Sequence, residues 1–400
     1  MEGGKIVISG TGCALADFLN TKISFDSRFF KKYLSAKSGD GGLEPGKLVF
    51  TEELEKFSGK PFKEILKEII GNWSYDAFNV GGPSIVPLIH ASQLLNSKEY
   101  EVGYFGIRGK DVVADKILSL IKKTSINIKN YLNISKKTTP FTYILSDPQY
   151  DNGHGERTFI NNIGAAWDYS PDMLNDDFYK SDIVCFGGTA IVPQIHDNLT
   201  SLLKKAKNNH CITVVNTVYD FRNEKNNPGK PWPLGKSIES FNLIDILIMD
   251  CEEALKISGK ASIEKAAVFF ASTKLSSFII TNGINDMLIW SGGGLFEKKK
   301  LIRLPVSKKV TDSLKSPGQI QGDTTGCGDN FAGGIITSIA WQMKNKISGN
   351  LDIIEAVTWG VASGGYCCFT VGGTYLEKAP GEKLAKVQEI QQEYIKQISY

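Results

Sequence analysis

Strand and helix patterns alternate through the second half of the chain, and that alternation limits the folds open to it. Asp182 to Phe186 reads as a strand, Val192 to Ala206 as a helix and Cys211 to Asn216 as a strand. Ile244 to Met249 is a further strand with a helix from Glu252, and Phe278 to Thr281 follows in turn. Earlier, Lys5 to Ser9 and Glu101 to Phe105 are strands, the second leading into helical positions Val112, Val113, Ile117, Leu118 and Ile121. Parallel neighbours need a crossover of a dozen or more residues, usually a helix. The pattern therefore predicts an α/β fold, doubly wound, with a mostly parallel sheet and helices on both faces. Ligands of such sheets bind beyond the carboxyl ends of the strands. Asp250, Thr281 and the 321–329 loop all fall at such ends, which predicts one shared site.

No linker, repeat or low-complexity segment divides the 400 residues, and 42% apolar residues suffice for a packed core. The net charge is +3, and the densest basic run, Lys298 to Lys300, has no aromatics between its charges, so no nucleic-acid surface is expected. The seven cysteines are odd in number, form no C-x-x-C and sit mostly in apolar runs. This usage fits a reducing cytoplasm better than a disulfide framework. No basic-then-apolar leader opens the sequence, and no apolar run reaches the roughly 18 residues of a membrane helix. Walker-A, H-E-x-x-H and G-x-S-x-G strings are absent. Gly10-Thr11-Gly12 begins a dinucleotide motif, but Leu15 stands where its third glycine belongs, so nicotinamide chemistry has little support.

The most informative loop runs from Gln321 to Ile336, Q-G-D-T-T-G-C-G-D-N-F-A-G-G-I-I. Gly326, Cys327 and Gly328 make a bendable turn, and Phe331, Ile335, Ile336, Ile339 and Ala340 follow at helical spacing. A helix N-terminus leaves N–H groups unpaired and adds about half a positive charge, a corner that draws phosphate oxygens. Asp329 in the first turn is then a carboxylate beside an anion, suited to taking a proton from a hydroxyl that attacks phosphate. On helix-terminus grounds alone it would be an acidic residue favoured by the dipole.

The whole string D-T-T-G-C-G-D followed by N-F-A-G-G resembles the signature of the ribokinase-like (PfkB) carbohydrate kinase family, with Cys327 where alanine is usual. The resemblance implies a single kinase domain over 1–400, with a small β lid from segments at about 20–78 and 138–166. It implies an ATP-dependent kinase phosphorylating a hydroxyl of a sugar or sugar-like molecule. Asp329 would be the general base, and the N–H groups of Gly326, Cys327 and Gly328 the anion hole. Asp17 would hold substrate hydroxyls, with Gly81 and Gly82 approaching the substrate through backbone; read alone, Asp17 is a helix or turn cap and the glycines a tight turn. The family's asparagine four residues after the second glycine is Val86 here, so one polar contact is lost or moved.

Asp250 and Glu253 match an N-x-x-E element, with Asp for Asn, near the nucleotide and the water shell of Mg²⁺; read alone they are an N-cap and its capping-box partner. Thr281 and Gly283 match a T-x-G turn that touches ATP phosphates, with Asp286 where a further glycine is frequent. Asp323 and Thr325 occupy positions beside which some members bind K⁺. Gly155-Glu156-Arg157-Thr158 resembles a G-E-R-T of many members, and Arg157 is read as pairing with a surface carboxylate. The 356–373 region is expected around the adenine, and a homodimer through the lids is an expectation by analogy. Two alternatives stay open: a nucleoside kinase of the same family, and a catalytically silent ligand-binding or regulatory protein on this fold, motivated by Val86, Asp250 and Asp286.

Overall fold

The computed structural model describes residues 4–37, 39–71, 75–134, 136–153, 155–315, 324–345 and 349–399. Their strands, in chain order, are β1 (Ile6–Gly12), β2 (Leu15–Asn20), β3 (Leu48–Phe50), β4 (Ala77–Gly81), β5 (Tyr100–Arg108), β6 (Asn127–Asn133), β7 (Phe141–Asp147), β8 (Glu156–Asn162), β9 (Ile183–Gly187), β10 (Ile212–Asn216), β11 (Ile246–Asp250), β12 (Ser277–Thr281), β13 (Met287–Ser291) and β14 (Lys299–Leu304). A 9-stranded sheet has the order β14-β13-β12-β11-β10-β9-β1-β5-β6 and a 5-stranded sheet the order β3-β8-β7-β2-β4. The large sheet is parallel from β6 to β12, and the β13–β14 hairpin turns its edge antiparallel. Strands β9 to β12 read as near-continuous apolar runs because helices bury both their faces.

The chain leaves β1 toward β5 and β6 on one side and later adds β9 to β12 on the other. A crevice therefore opens at this switch point, where Gly12 at the end of β1 pairs with Gly187 at the end of β9. Two elements converge on it. Helix Ile85–Leu94 is buried at every residue; it is mostly apolar, and His90, Ser92 and Gln93 are hydrogen-bonded inside. Pro87 sits in its first turn, so the helix start absorbs the missing donor and no kink is needed. Helix Cys327–Asn345 packs between Ile85–Leu94 and helix Ile353–Cys367. Its small residues permit that approach: a Cβ at Gly333 would lie 2.8 Å from Pro87 O. The single helix expected from Val192 to Ala206 is divided into Pro193–Asp197 and Leu199–Asn208, with Asn198 between them.

The smaller sheet has two unlike faces. Tyr143, Leu145 and Ile160 pack against the apolar sides of helices Thr51–Ser58 and Phe62–Ile70, with Leu54, Ile65 and Ile69 in the same cluster. Across the other face runs a polar row. Asp17 on β2 lies opposite Asn79 on β4 and Thr142 on β7, and Thr142 lies opposite Asn161 on β8. Asp17 is thus a strand residue, 4% exposed, and caps neither a helix nor a turn. Among the described residues no helix is long and apolar enough to cross a membrane.

Candidate active site

The loop before helix Cys327–Asn345 is fixed from behind. Gly326 takes φ 77°, and a side chain there would collide with Gly373, so only glycine satisfies both demands. Asn330, buried one turn into the helix, donates to Gly326 O (2.8 Å), Gly373 O (2.8 Å) and Cys367 Sγ (3.3 Å). Cys367 Sγ in turn donates to Thr325 O (3.3 Å). These bonds hold the loop's carbonyls on its inner side. Gly328 has open space where a side chain would stand. Cys327 N–H closes a turn on Thr324 O at 3.3 Å, a long bond for which an anion can compete.

Asp329 occupies the first helical turn and is half-buried; desolvation pushes its carboxyl up to about 7. Burial does most to raise the Cys13 thiol and the Glu253 carboxyl, and the charge of Asp329 adds to both, so Asp329 lies within electrostatic reach of each. Asp17 also raises Cys13, so both aspartates look onto one thiol at the switch-point crevice. Gly81 lies so close to Asp17 that a side chain would strike its carboxylate. At Gly82, φ 115° and a Cβ position 2.6 Å from Cys13 O exclude any other residue. Val86 does not face this crevice as a polar partner; it is 1% exposed and lies 3.6 Å from a Cβ position at Gly373.

On the far side of Gly328 a cavity of about 210 Å³ is bounded by Thr281, Gly283, Val310, Phe331, Val361, Gly364, Cys327 and Cys368. Its walls are mostly apolar. Asp286 stands on the exposed turn before β13, outside this lining. Asp250 and Glu253 form the capping box: Glu253 N donates to Asp250 Oδ1 (2.8 Å) and Asp250 N to Glu253 Oε2 (3.0 Å). Thr217 Oγ1 also donates to Glu253 Oε2 (2.5 Å). Burial, then the charge of Asp250, push the Glu253 carboxyl up to about 8. The Asp250 charge thus disfavours the ionised form of its neighbour. Asp323 lies outside the described residues. Thr325 is described, and its hydroxyl is engaged by Arg157.

Arg157 departs from the sequence expectation. It pairs with no surface carboxylate; Nη1 donates to Thr325 Oγ1 (2.6 Å) and Nη2 to Thr324 Oγ1 (2.7 Å). The guanidinium therefore ties β8 of the smaller sheet to the loop that carries Asp329. A second tie joins Glu53 to Lys225, beside the Phe50 and Phe221 rings 5.8 Å apart. A third uses the C-terminal T-V-G-G-T segment: Asn79 Nδ2 donates to Val371 O (3.0 Å) and Thr374 O (3.1 Å), and Thr374 Oγ1 to Val80 O (2.7 Å). Sequence reading missed Asn330 and the cysteine pair on the cavity wall, where Cys327 Sγ stands 3.5 Å from Cys368 Sγ. The signal for Asn330 was a polar residue inside an apolar helical face, which a buried partner must explain.

Three solved structures share this architecture. Adenosine kinase from Schistosoma mansoni, in complex with 2-fluoroadenosine, matches at 17% identity and TM-score 0.67 over 92% of this chain and 96% of that one. A probable sugar kinase protein from Rhizobium etli matches at 14% and 0.69 over 97% and 100%. Ribokinase from Thermotoga maritima matches at 17% and 0.59 over 97% and 99%. At these identities the likeness is one of fold, and it is ribokinase-like. The family model described as pfkB family carbohydrate kinase matches residues 78–379, three strands of the smaller sheet and the Asp329 loop included. With that span covering most of its length, the chain belongs to the pfkB carbohydrate kinase family.

Proposed function

We propose that the protein is an ATP-dependent kinase that phosphorylates a hydroxyl of a sugar or sugar-like small molecule. The observation that carries this reading is Asp329 in the first turn of helix Cys327–Asn345, whose Cys327 and Gly328 border the larger cavity, with its charge felt at Cys13, where Asp17 is felt too. ATP would lie in that cavity with its phosphates over Thr281, Gly283 and Gly328. The acceptor would lie in the crevice under the smaller sheet, held by Asp17 and approached by the backbone of Gly81 and Gly82. Asp329 takes the acceptor's proton as its oxygen attacks the terminal phosphorus. N–H groups at the helix mouth, of Gly326, Cys327 and Gly328, stabilise the charge on the phosphoryl oxygens as it passes. A carboxyl near 7 suits this task, being about half ionised at neutral pH and basic enough to accept a proton.

Asp250 and Glu253 are the residues that would hold Mg²⁺, through water and shared with the ATP oxygens. Bound there, the ion neutralises phosphate charge. K⁺ beside Thr325 is the part of the reading that a comparison of rates in K⁺ and Na⁺ decides. The main experiment follows ATP consumption over a panel of sugars, sugar acids and nucleosides with wild type and Asp329→Asn. The expected result is turnover in the wild type and a loss of about 10²–10⁴-fold in the variant, with ATP binding retained. A variant as active as wild type rejects the role of Asp329. Tight ligand binding with no turnover in either protein favours the silent binding protein instead.

A further inference from the structure

Two cysteines meet on the wall of the larger cavity, and no step above employs their sulfurs. Cys327 opens helix Cys327–Asn345, and Cys368 is the C-cap of helix Ile353–Cys367. Their sulfurs stand 3.5 Å apart across 41 positions of sequence, and both residues are partly exposed thiols. Both line the cavity of about 210 Å³, together with Gly328 and Phe331. The third nearby thiol is committed elsewhere. Cys367, 3% exposed, donates to Thr325 O and accepts from Asn330 Nδ2, at 3.3 Å each. The two helices already touch at this point, since a Cβ at Gly364 would lie 2.9 Å from Cys327 O. Hydrogen bonding to the two neighbouring sulfurs, then burial, hold the Cys327 thiol above the usual thiol range. Cys327 thus keeps its proton longest, and Cys368, the more open of its neighbours, is the one to ionise.

We propose that Cys327 and Cys368 form a reversible oxidation site, in which a hydroperoxide converts the two thiols to a disulfide that disables nucleotide use. The Cys368 thiolate attacks one peroxide oxygen and the O–O bond breaks. The sulfur becomes a sulfenic acid, and the other oxygen leaves, protonated, as an alcohol or water. The Cys327 sulfur then attacks the sulfenic sulfur, and the displaced hydroxyl takes the Cys327 proton and leaves as water. The two thiols lose two hydrogens in all, and the peroxide is the species reduced. The new bond draws the sulfurs from 3.5 Å to about 2 Å. That pull falls on the first turn of its helix, which presents the N–H groups of Cys327 and Gly328 to the cavity. A displacement of about 1 Å at such groups costs on the order of 10²-fold in rate. In the reduced protein the sulfurs take no part in turnover. The effect on activity rests on the kinase reading; the oxidation itself does not.

The test treats the reduced full-length protein with hydrogen peroxide, blocks the remaining thiols with N-ethylmaleimide and maps the peptides by mass spectrometry. The expected product is a Cys327–Cys368 linked peptide, two hydrogens lighter than the reduced pair. ATP consumption should fall at least about tenfold with the link and return with dithiothreitol. Each variant is read against its own untreated rate. Cys368→Ser should form no such link and keep more than about half of that rate. Cys251→Ser, which removes another partly exposed thiol, should respond like wild type. The proposal is overturned by a wild type that forms no link, one that bridges to Cys367 instead, or a linked protein that keeps its rate. A loss that dithiothreitol does not reverse, or an equal loss in Cys368→Ser, overturns it as well. If the reduced wild type consumes ATP with no acceptor in the panel, the kinase reading fails, and the linked peptide still decides the oxidation site.

Discussion

In the cavity bordered by Gly328 the walls are loop backbone and apolar side chains around about 210 Å³. Under the smaller sheet, Cys13, Leu15 and Asn161 help to line a cavity of about 10 Å³ near a row of buried polar side chains. The first region works through main-chain groups and shape, which any small residue supplies. The second works through particular side chains at fixed strand registers. Replacement is therefore tolerated on the first side, as Cys327 in place of the usual alanine illustrates, and costly on the second. Asp329 and Gly326 sit at the start of helix Cys327–Asn345, next to Cys327 and Gly328 of the first region, and changes there should move that helix mouth.

The sharpest break of this contrast is Asp329→Asn, which should remove turnover and stabilise the fold at the same time. A carboxyl raised by folding contributes stability that is whole below its unfolded value near 4 and is lost as pH rises through about 7. The variant should thus gain on the order of 1–2 kcal/mol over wild type at pH 8 and nothing below pH 4, measured by urea melts at both pH values. For the wild type, kcat/KM should climb through pH 7 and then level.

Gly326→Ala comes next. Positive φ and contact with Gly373 together should cost about 1–3 kcal/mol of stability and lower kcat with both substrates saturating, because neither side of the loop keeps its position. Arg157→Ala removes the tie to Thr324 and Thr325 and should lower kcat/KM for the acceptor by about tenfold while leaving ADP affinity, read by calorimetry, nearly unchanged. The smallest effect belongs to Cys327→Ala, expected within about twofold of wild type in every constant, since the position acts through its backbone. A large loss there would show that the thiol beside Cys368 has a task of its own.

Much of the large sheet was legible because β9 to β12 are doubly covered and so declare themselves as apolar runs between helices. β6, half-exposed and rich in asparagine, was not, because an edge strand needs no such run. The Asp329 loop was legible as a string, yet what holds it was hidden. Arg157 reaches residues 168 positions away, and Asn330 and Cys367 bind carbonyls that no sequence pattern marks. Asp17 carried too little local context to be placed in a strand; its register against Asn79 and Thr142 is a tertiary fact. Val86 was read as a lost contact, and its packing against Gly373 gives that loss a physical form.

Helices Thr51–Ser58 and Phe62–Ile70 have a consequence for how the protein works in dilute solution. A sheet with one bare apolar face must borrow a cover, commonly from a second molecule. Here the chain brings its own roof, so Tyr143, Leu145 and Ile160 are already sheltered in a lone polypeptide. If this roof suffices, specific activity is expected to stay flat as the protein is diluted.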